Sequence, residues 1–322
     1  MCDINKNKTL MGISGFPIDE YLSNLLVDKT TGKNIIFATD DYSDYGYNKY
    51  AEMTAIAIRG MDANAIQPRV KKSLQEQTER TKKKAEVFTP AWICNRMNNH
   101  CDEEWFGRKN VFNTEQDTDD GKHSWTVTDG KIEFSDADGW QKYVHSKRLE
   151  ITCGEAPYIV SRYDASTGEA ISLHERIGIL DRKMRVVNEN TNTKKEWLEW
   201  TYNAFQATYG YEFQGDNLLI ARINVLLSFV EYMQDRWHCK PSKKSICKMC
   251  DIIAWNLWQM DGLTGLVPFC KDIDSVPLFT EETNNPTDPI LNPDDMVSCK
   301  CKIFDWKANK SLEFNSIKNS NS

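Results

Sequence analysis

Residues 193 to 232 carry the pattern that most restricts the fold. From Thr193 to Tyr209 the apolar residues Trp197, Trp200, Tyr202, Ala204 and Phe205 recur at helical spacing. Gly210 reads as the stop of that helix, because glycine accepts the left-handed backbone on which helices commonly end. Tyr211-Glu212-Phe213 follows as a short strand tipped by an acid, and Asp216 to Tyr232 as a second helix rich in Leu, Ile and Val. Helix, strand, acid and helix in succession form the unit from which a doubly wound parallel sheet is built. The expected class is α/β.

A second strand is expected to end at Glu150, within Leu149-Glu150-Ile151-Thr152-Cys153-Gly154-Glu155-Ala156-Pro157-Tyr158-Ile159. The glycine permits a positive φ or close approach of a ligand to the backbone, and Pro157 suits a first helical turn. One glycine is fewer than a dinucleotide fingerprint carries, and an ordinary strand-to-helix turn has the same outline. An acid that contacts a ribose stands roughly 20 residues beyond such a turn, whereas Glu212 lies 62 positions past Glu150. An insertion is therefore expected at Arg162 to Asn192. Within it Asp181, after an apolar pair, rivals Glu212 for that role; the helix before Glu212 and the helix after it favour Glu212.

The remaining chain gives weaker signals. Asn34 to Thr39 reads as a short buried strand, and Tyr50 to Arg59 as a helix. Arg69, Lys71, Lys72, Arg80, Lys82, Lys83 and Lys84 make a basic helical arm, which is either a solvated helix face or a phosphate-contacting surface. Turn signals at Asp117 to Lys122 and Thr128 to Lys131 flank Ser124-Trp125-Thr126-Val127 and Ile132-Glu133-Phe134, predicting an inserted β-hairpin. Asp136 to Tyr143 reads as a short helix, and Ser245 to Gln259 as an apolar helical block. Cys247 and Cys250 would share a face of that block, so packing explains them better than zinc does; no metal site is expected. Ten cysteines scattered through apolar stretches read as reduced thiols. The last strand, Cys301 to Trp306, ends in an acid and an aromatic ring.

Three segments together resemble the cofactor half of the adenine-N6 DNA methyltransferases of restriction-modification systems: Ala85-Glu86-Val87-Phe88-Thr89-Pro90, the Glu150 to Tyr158 turn, and Tyr211 to Asn224. The resemblance runs from about Lys84 to Asn315. It implies an incomplete doubly wound, Rossmann-like sheet that binds S-adenosylmethionine, preceded by a helical N-terminal region. Domains are expected at 1–84 and 85–322, the second truncated. The resemblance assigns Phe88, Thr89 and Pro90 to the methionine part of the cofactor. Glu150, Cys153, Gly154, Glu155 and Pro157 go to the cofactor loop, Glu212 with Phe213 to the ribose, and Asp305 with Trp306 to the adenine.

The implied partner is double-stranded DNA, reached through the basic arm, since a net charge of −7 supplies no general attraction to nucleic acid. The family's Asn/Asp-Pro-Pro-aromatic motif, which holds the target amine, is absent: Asn285-Pro286 and Asn292-Pro293 lack the second proline. No catalytic residue is therefore assigned, and the chain is expected to be a truncated enzyme or half of a split one. A noncatalytic module that binds S-adenosylmethionine or a partner within a restriction system is the alternative. No apolar run has the length of a membrane span and the first residues lack a secretion signal, so a cytoplasmic place and no membrane partner are expected.

Overall fold

The computed structural model describes residues 15–62, 64–84, 89–117, 123–270 and 300–318. Helix α1 (Ile18–Leu26) buries Ile18, Tyr21, Leu22, Leu25 and Leu26, the i, i+3, i+4, i+7 and i+8 positions of one face. Isolated bridges at Val27–Asn34 and Ile36–Glu52 replace the strand expected at Asn34 to Thr39. Helix α2 (Ala55–Gly60) starts where the Thr54 hydroxyl accepts from Ala57 N. Helix α3 (Leu74–Lys84) is the helical part of the basic arm, and α4 (Ala91–Phe106) ends at the left-handed Gly107.

Strands β1 (Asn113–Asp117) and β2 (His123–Val127) pair antiparallel with Asn113 opposite Val127. The expected hairpin is present, but its partner strand differs. Residues 132–134 form no strand; instead Ile132 is buried and its N–H is held by Glu189 at 2.8 Å. Next come α5 (Gly139–His145) and β3 (Arg148–Glu150). The glycine turn after β3 does not open a helix at Pro157: the chain runs through loops and one 3-10 turn (Leu173–Glu175) until α6 (Ile179–Asn190). Helix α7 (Lys194–Gln206), β4 (Thr208–Glu212) and α8 (Gly215–Trp237) follow the expected helix–strand–helix order. Gly210 lies inside β4 and does not end α7. Helix α9 (Lys243–Asn256) gives way to β5 (Leu257–Gln259), a strand that the apolar block had concealed. Strands β6 (Lys302–Asp305) and β7 (Lys310–Glu313) make a second antiparallel hairpin, followed by α10 (Phe314–Lys318).

Strands β3, β4 and β5 form one parallel sheet with β4 in the middle. All five residues of β4 are buried, as expected of a parallel strand covered on both faces. Side chains alternate between those faces. Leu257 joins the main core of α1, α7, α8 and α9, while Tyr209, Tyr211 and Trp258 pack against Cys301, Ile303 and Phe314. The molecule is thus mixed α/β, with one three-stranded parallel sheet between a helical layer and the β6–β7 hairpin.

Gly210 shows how close that packing is: a Cβ there would stand 2.9 Å from Leu257 and 3.2 Å from the Cys153 sulfur. Helix α8 is buried on every side from Gly215 to Val230, which requires its one central cation to be fully bonded. Arg222 meets that need by donating to the carbonyls of Leu25 (2.6 Å), Val27 (3.0 Å) and Leu257 (2.7 and 2.9 Å). Among the described residues seven cysteines are free thiols; Cys270 departs from the expectation and is disulfide-bonded. No described helix is long and apolar enough to cross a membrane.

Candidate functional site at the ends of the parallel strands

Parallel strands in register bring their carboxyl ends to one edge, where ligands of such sheets bind. Glu150 stands opposite Gly210, and Glu212 opposite Gln259, so the tips of β3, β4 and β5 rise in a stagger along that edge. The turn leaving β3 is tied to β4 by Cys153 N donating to Tyr211 O at 2.8 Å. Thr152, Gly154 and Ala156 all have positive φ, of 46°, 54° and 64°. Glycine takes that conformation without cost; a β-branched threonine does not, and such strain persists where the surroundings enforce it, often at functional sites.

Glu212 holds this turn. Its Oε2 accepts from Gly154 N at 2.9 Å and its Oε1 from Gln214 N at 3.1 Å. Glu150 is buried behind the turn and accepts from Tyr158 N (3.4 Å) and Ile159 N (3.2 Å). Burial pushes its carboxyl well above the usual range; the two backbone bonds oppose that shift, and the nearby Glu212 adds to it. A raised carboxyl stabilises the fold below its unfolded value, near 4.5, and loses that contribution as pH climbs through the folded value. The variant Glu150→Gln is therefore expected to remove part of the stability lost between pH 4.5 and neutrality, read from urea midpoints across that range. An unchanged pH profile would mean that Glu150 titrates normally.

The other expected cofactor residues divide. Glu155 is structural: its Oε1 accepts from Arg69 N at 2.7 Å and its Oε2 from the Tyr163 hydroxyl at 2.6 Å. Cys153 is buried, and burial raises its thiol well above the ordinary value. Pro157 is half-buried in the turn. Thr89 and Pro90 are also half-buried, at the start of α4, which lies against the loop through Asn98 donating to Tyr158 O and Ile177 O. Phe88 lies outside the described residues. Phe213 packs edge-on to Phe269, which in turn meets Tyr50 at 5.0 Å. Asp181, the rival ribose acid, is a helix cap: it accepts from Ser161 N and Gly178 N and from the Tyr232 hydroxyl.

Asp305 and Trp306 are a correction. They belong to the β6–β7 hairpin side, outside the parallel sheet, and sit at its opposite end. Tyr209, near the start of β4, donates to Phe304 O, Lys147 before β3 pairs with Asp305 at 3.7 Å, and Trp306 donates to Asn256 just before β5. From Tyr209 to Glu212 is about 10 Å of strand, so Asp305 cannot share a small ligand's adenine with the Glu212 edge. The third parallel strand is β5, and the acid beyond its tip is Asp261, which sequence reasoning passed over. Its visible signal was an acid and a glycine, Asp261-Gly262, closing an apolar run.

A second correction concerns the basic arm. Lys72 and Arg80 point inward and are buried; both pair with Asp216, at 3.2 and 2.9 Å, and Arg80 also reaches Asp41 at 2.6 Å. The Tyr42 hydroxyl donates to the same Asp216 oxygen at 2.8 Å. Arg69 is half-buried and donates from its guanidinium to Gln77 O at 3.0 Å. Lys71 and Lys82 are exposed, and the side chains of Lys83 and Lys84 lie outside the described residues. Among the described residues a continuous phosphate-contacting stripe is therefore not formed, because two of the seven expected cations, Lys72 and Arg80, neutralise Asp216 at the start of α8.

The N-terminal segment closes the same edge. The Gln259 amide accepts from Ile36 N and donates to Ile36 O, both at 2.9 Å, and also donates to Phe213 O. Gly215 N donates to Phe37 O, and any Cβ on Gly215 would lie 2.0 Å from Ile36 O. Comparison with known proteins returns no match among family models, curated proteins or solved structures.

Proposed function

We propose that the edge formed by the Gly154 turn, Glu212 and Asp261 binds S-adenosylmethionine, and that the chain is the cofactor-binding part of a DNA adenine-N6 methyltransferase acting in the cytoplasm. On this reading the parallel sheet belongs to a Rossmann-like, doubly wound arrangement. The observation that carries the proposal is Glu212 at the tip of the central strand, bonded to the N–H of the glycine in a strained turn from the neighbouring strand. The ribose and the adenine of the cofactor have chemical counterparts there. A ribose diol needs a fixed carboxylate, which Glu212 supplies. An adenine amine needs an acceptor and its ring an aromatic neighbour; Asp261, with Phe213 and Phe269, replaces Asp305 and Trp306 in that role.

Transfer to N6 also needs acceptors for the target amine beside an aromatic platform. The sequence has no Asn-Pro-Pro-aromatic motif to provide them, and this favours the noncatalytic module as the second reading. Calorimetry with S-adenosylmethionine tests the proposal. Saturable binding is expected, weakened by about 1–3 kcal/mol in Glu212→Ala through loss of charge-assisted hydrogen bonds. Asp181→Asn should leave the affinity where it was. No saturation up to millimolar cofactor would remove the reading, and the reverse ranking of the two variants would move the ribose to Asp181.

A further inference from the structure

A pocket of about 440 Å³ opens on the other side of the molecule, between the β1–β2 hairpin, the loop before α6, α6 itself and the last turns of α8. From Asp216 to Asp235 along α8 is about 28 Å, so this pocket is separate from the strand-end edge. Its volume falls within the range of small-ligand sites. Four arginines line it: Arg176, Arg182, Arg185 and Arg236.

Two of the four are fully committed to the protein. Arg182 bonds Asp102, Asn95, Asn99 and Ile177 O, and Arg185 bonds Glu189 and the carbonyls of Phe112, Thr128 and Gly130. Arg176 is not. Its side chain is 3% exposed, yet Nε and Nη1 have no hydrogen-bond acceptor among the described residues. Nη1 lies 2.8 Å from Glu231 as an ion pair, on a carboxylate whose two oxygens Arg162 also bonds. Arg236, at the exposed rim, has one carbonyl bond to Thr191 and no carboxylate partner among the described residues. Four carboxylates line the pocket as well, and each has a partner: Glu189 pairs with Arg185, Asp181 caps α6, Glu175 accepts from the Ser172 hydroxyl, and Asp235 faces His174 at 3.3 Å. Buried donors without acceptors are costly, and guanidinium N–H groups in a fork match the oxygens of an oxyanion.

We propose that this pocket binds the phosphate group of a ligand, with Arg176 as the buried donor and Arg236 closing over it from the rim. The probe is inorganic phosphate, titrated into the full chain at constant ionic strength with chloride as the balancing anion, while thermal unfolding is followed. A saturable rise in Tm at millimolar phosphate is expected, because a ligand that binds only the native state stabilises it. Arg236→Ala, an exposed change that leaves the core intact, should weaken phosphate binding at least tenfold, and Arg176→Gln should abolish it.

Adenosine monophosphate and a short DNA duplex identify the source of the phosphate. Tighter binding of the mononucleotide assigns a small nucleotide, and tighter binding of the duplex, lost in Arg236→Ala, assigns the DNA backbone. Absence of a saturable rise, or a rise that persists unchanged in Arg236→Ala, overturns the site even if Arg176→Gln fails to fold.

Discussion

Asp216→Ala is expected to lower the stability of the protein by about 3–5 kcal/mol, the cost of breaking a buried ion pair by removing one partner. Asp216 is fully buried in the first turn of α8, where its charge also suits the helix N-terminus. It accepts from Tyr42 and pairs with Lys72 and Arg80. Arg80 would keep Asp41 and Gln214, whereas Lys72, 8% exposed, would lose its carboxylate. Domains of ordinary stability hold about 5–15 kcal/mol in all, so the loss is a large share of the total. Urea titration measures the loss directly. Lys72→Met made together with Asp216→Ala should recover part of it, since the stranded cation is then gone. A shift below about 1 kcal/mol for Asp216→Ala would show that water already reaches the cluster.

Arg222→Leu should be comparably severe, at about 4 kcal/mol or more, with a local signature. The arginine has no exposed surface, and its guanidinium satisfies carbonyls from three elements: α1, the segment after it, and the α9–β5 junction. Burial lowers its pKa to about 10, which leaves it charged at neutral pH. Leucine would strand those carbonyls at about 1–3 kcal/mol for each group left unpaired, less whatever water recovers. Hydrogen exchange should report the loss first in Ile18–Leu26, whose last carbonyls the arginine bonds. Uniform loss of protection across α8 as well would mean that the residue supports the helix and not the docking of α1.

What was legible in the sequence follows from how much each signal depends on distant residues. The α7–β4–α8 succession could be read because helical spacing, strand and turn are local properties. Strand β5 could not: Ile252 to Trp258 is apolar except at Asn256, and burial on both faces erases the alternation that separates a strand from a buried helix end. Asp305 was misplaced because an acid after a strand says nothing of which sheet the strand joins. The arm was misread for a related reason. Whether Lys72 and Arg80 meet solvent or an acid depends on Asp216, 144 and about 136 positions away, and charge alone does not reveal that. The Gly154–Glu212 contact joins two tips that were each visible, though their hydrogen bond was not.

The clasp of Ile36 by Gln259 spans 223 positions of chain. At the usual pace of translation, residues near 36 wait roughly 10–45 s before their partner is synthesised. During that interval α1 and the extended piece after it have no sheet to rest on, and their apolar side chains are open to chaperones or to neighbouring nascent chains. That early segment thus completes its packing late, and slower elongation before residue 259 would lengthen its exposure.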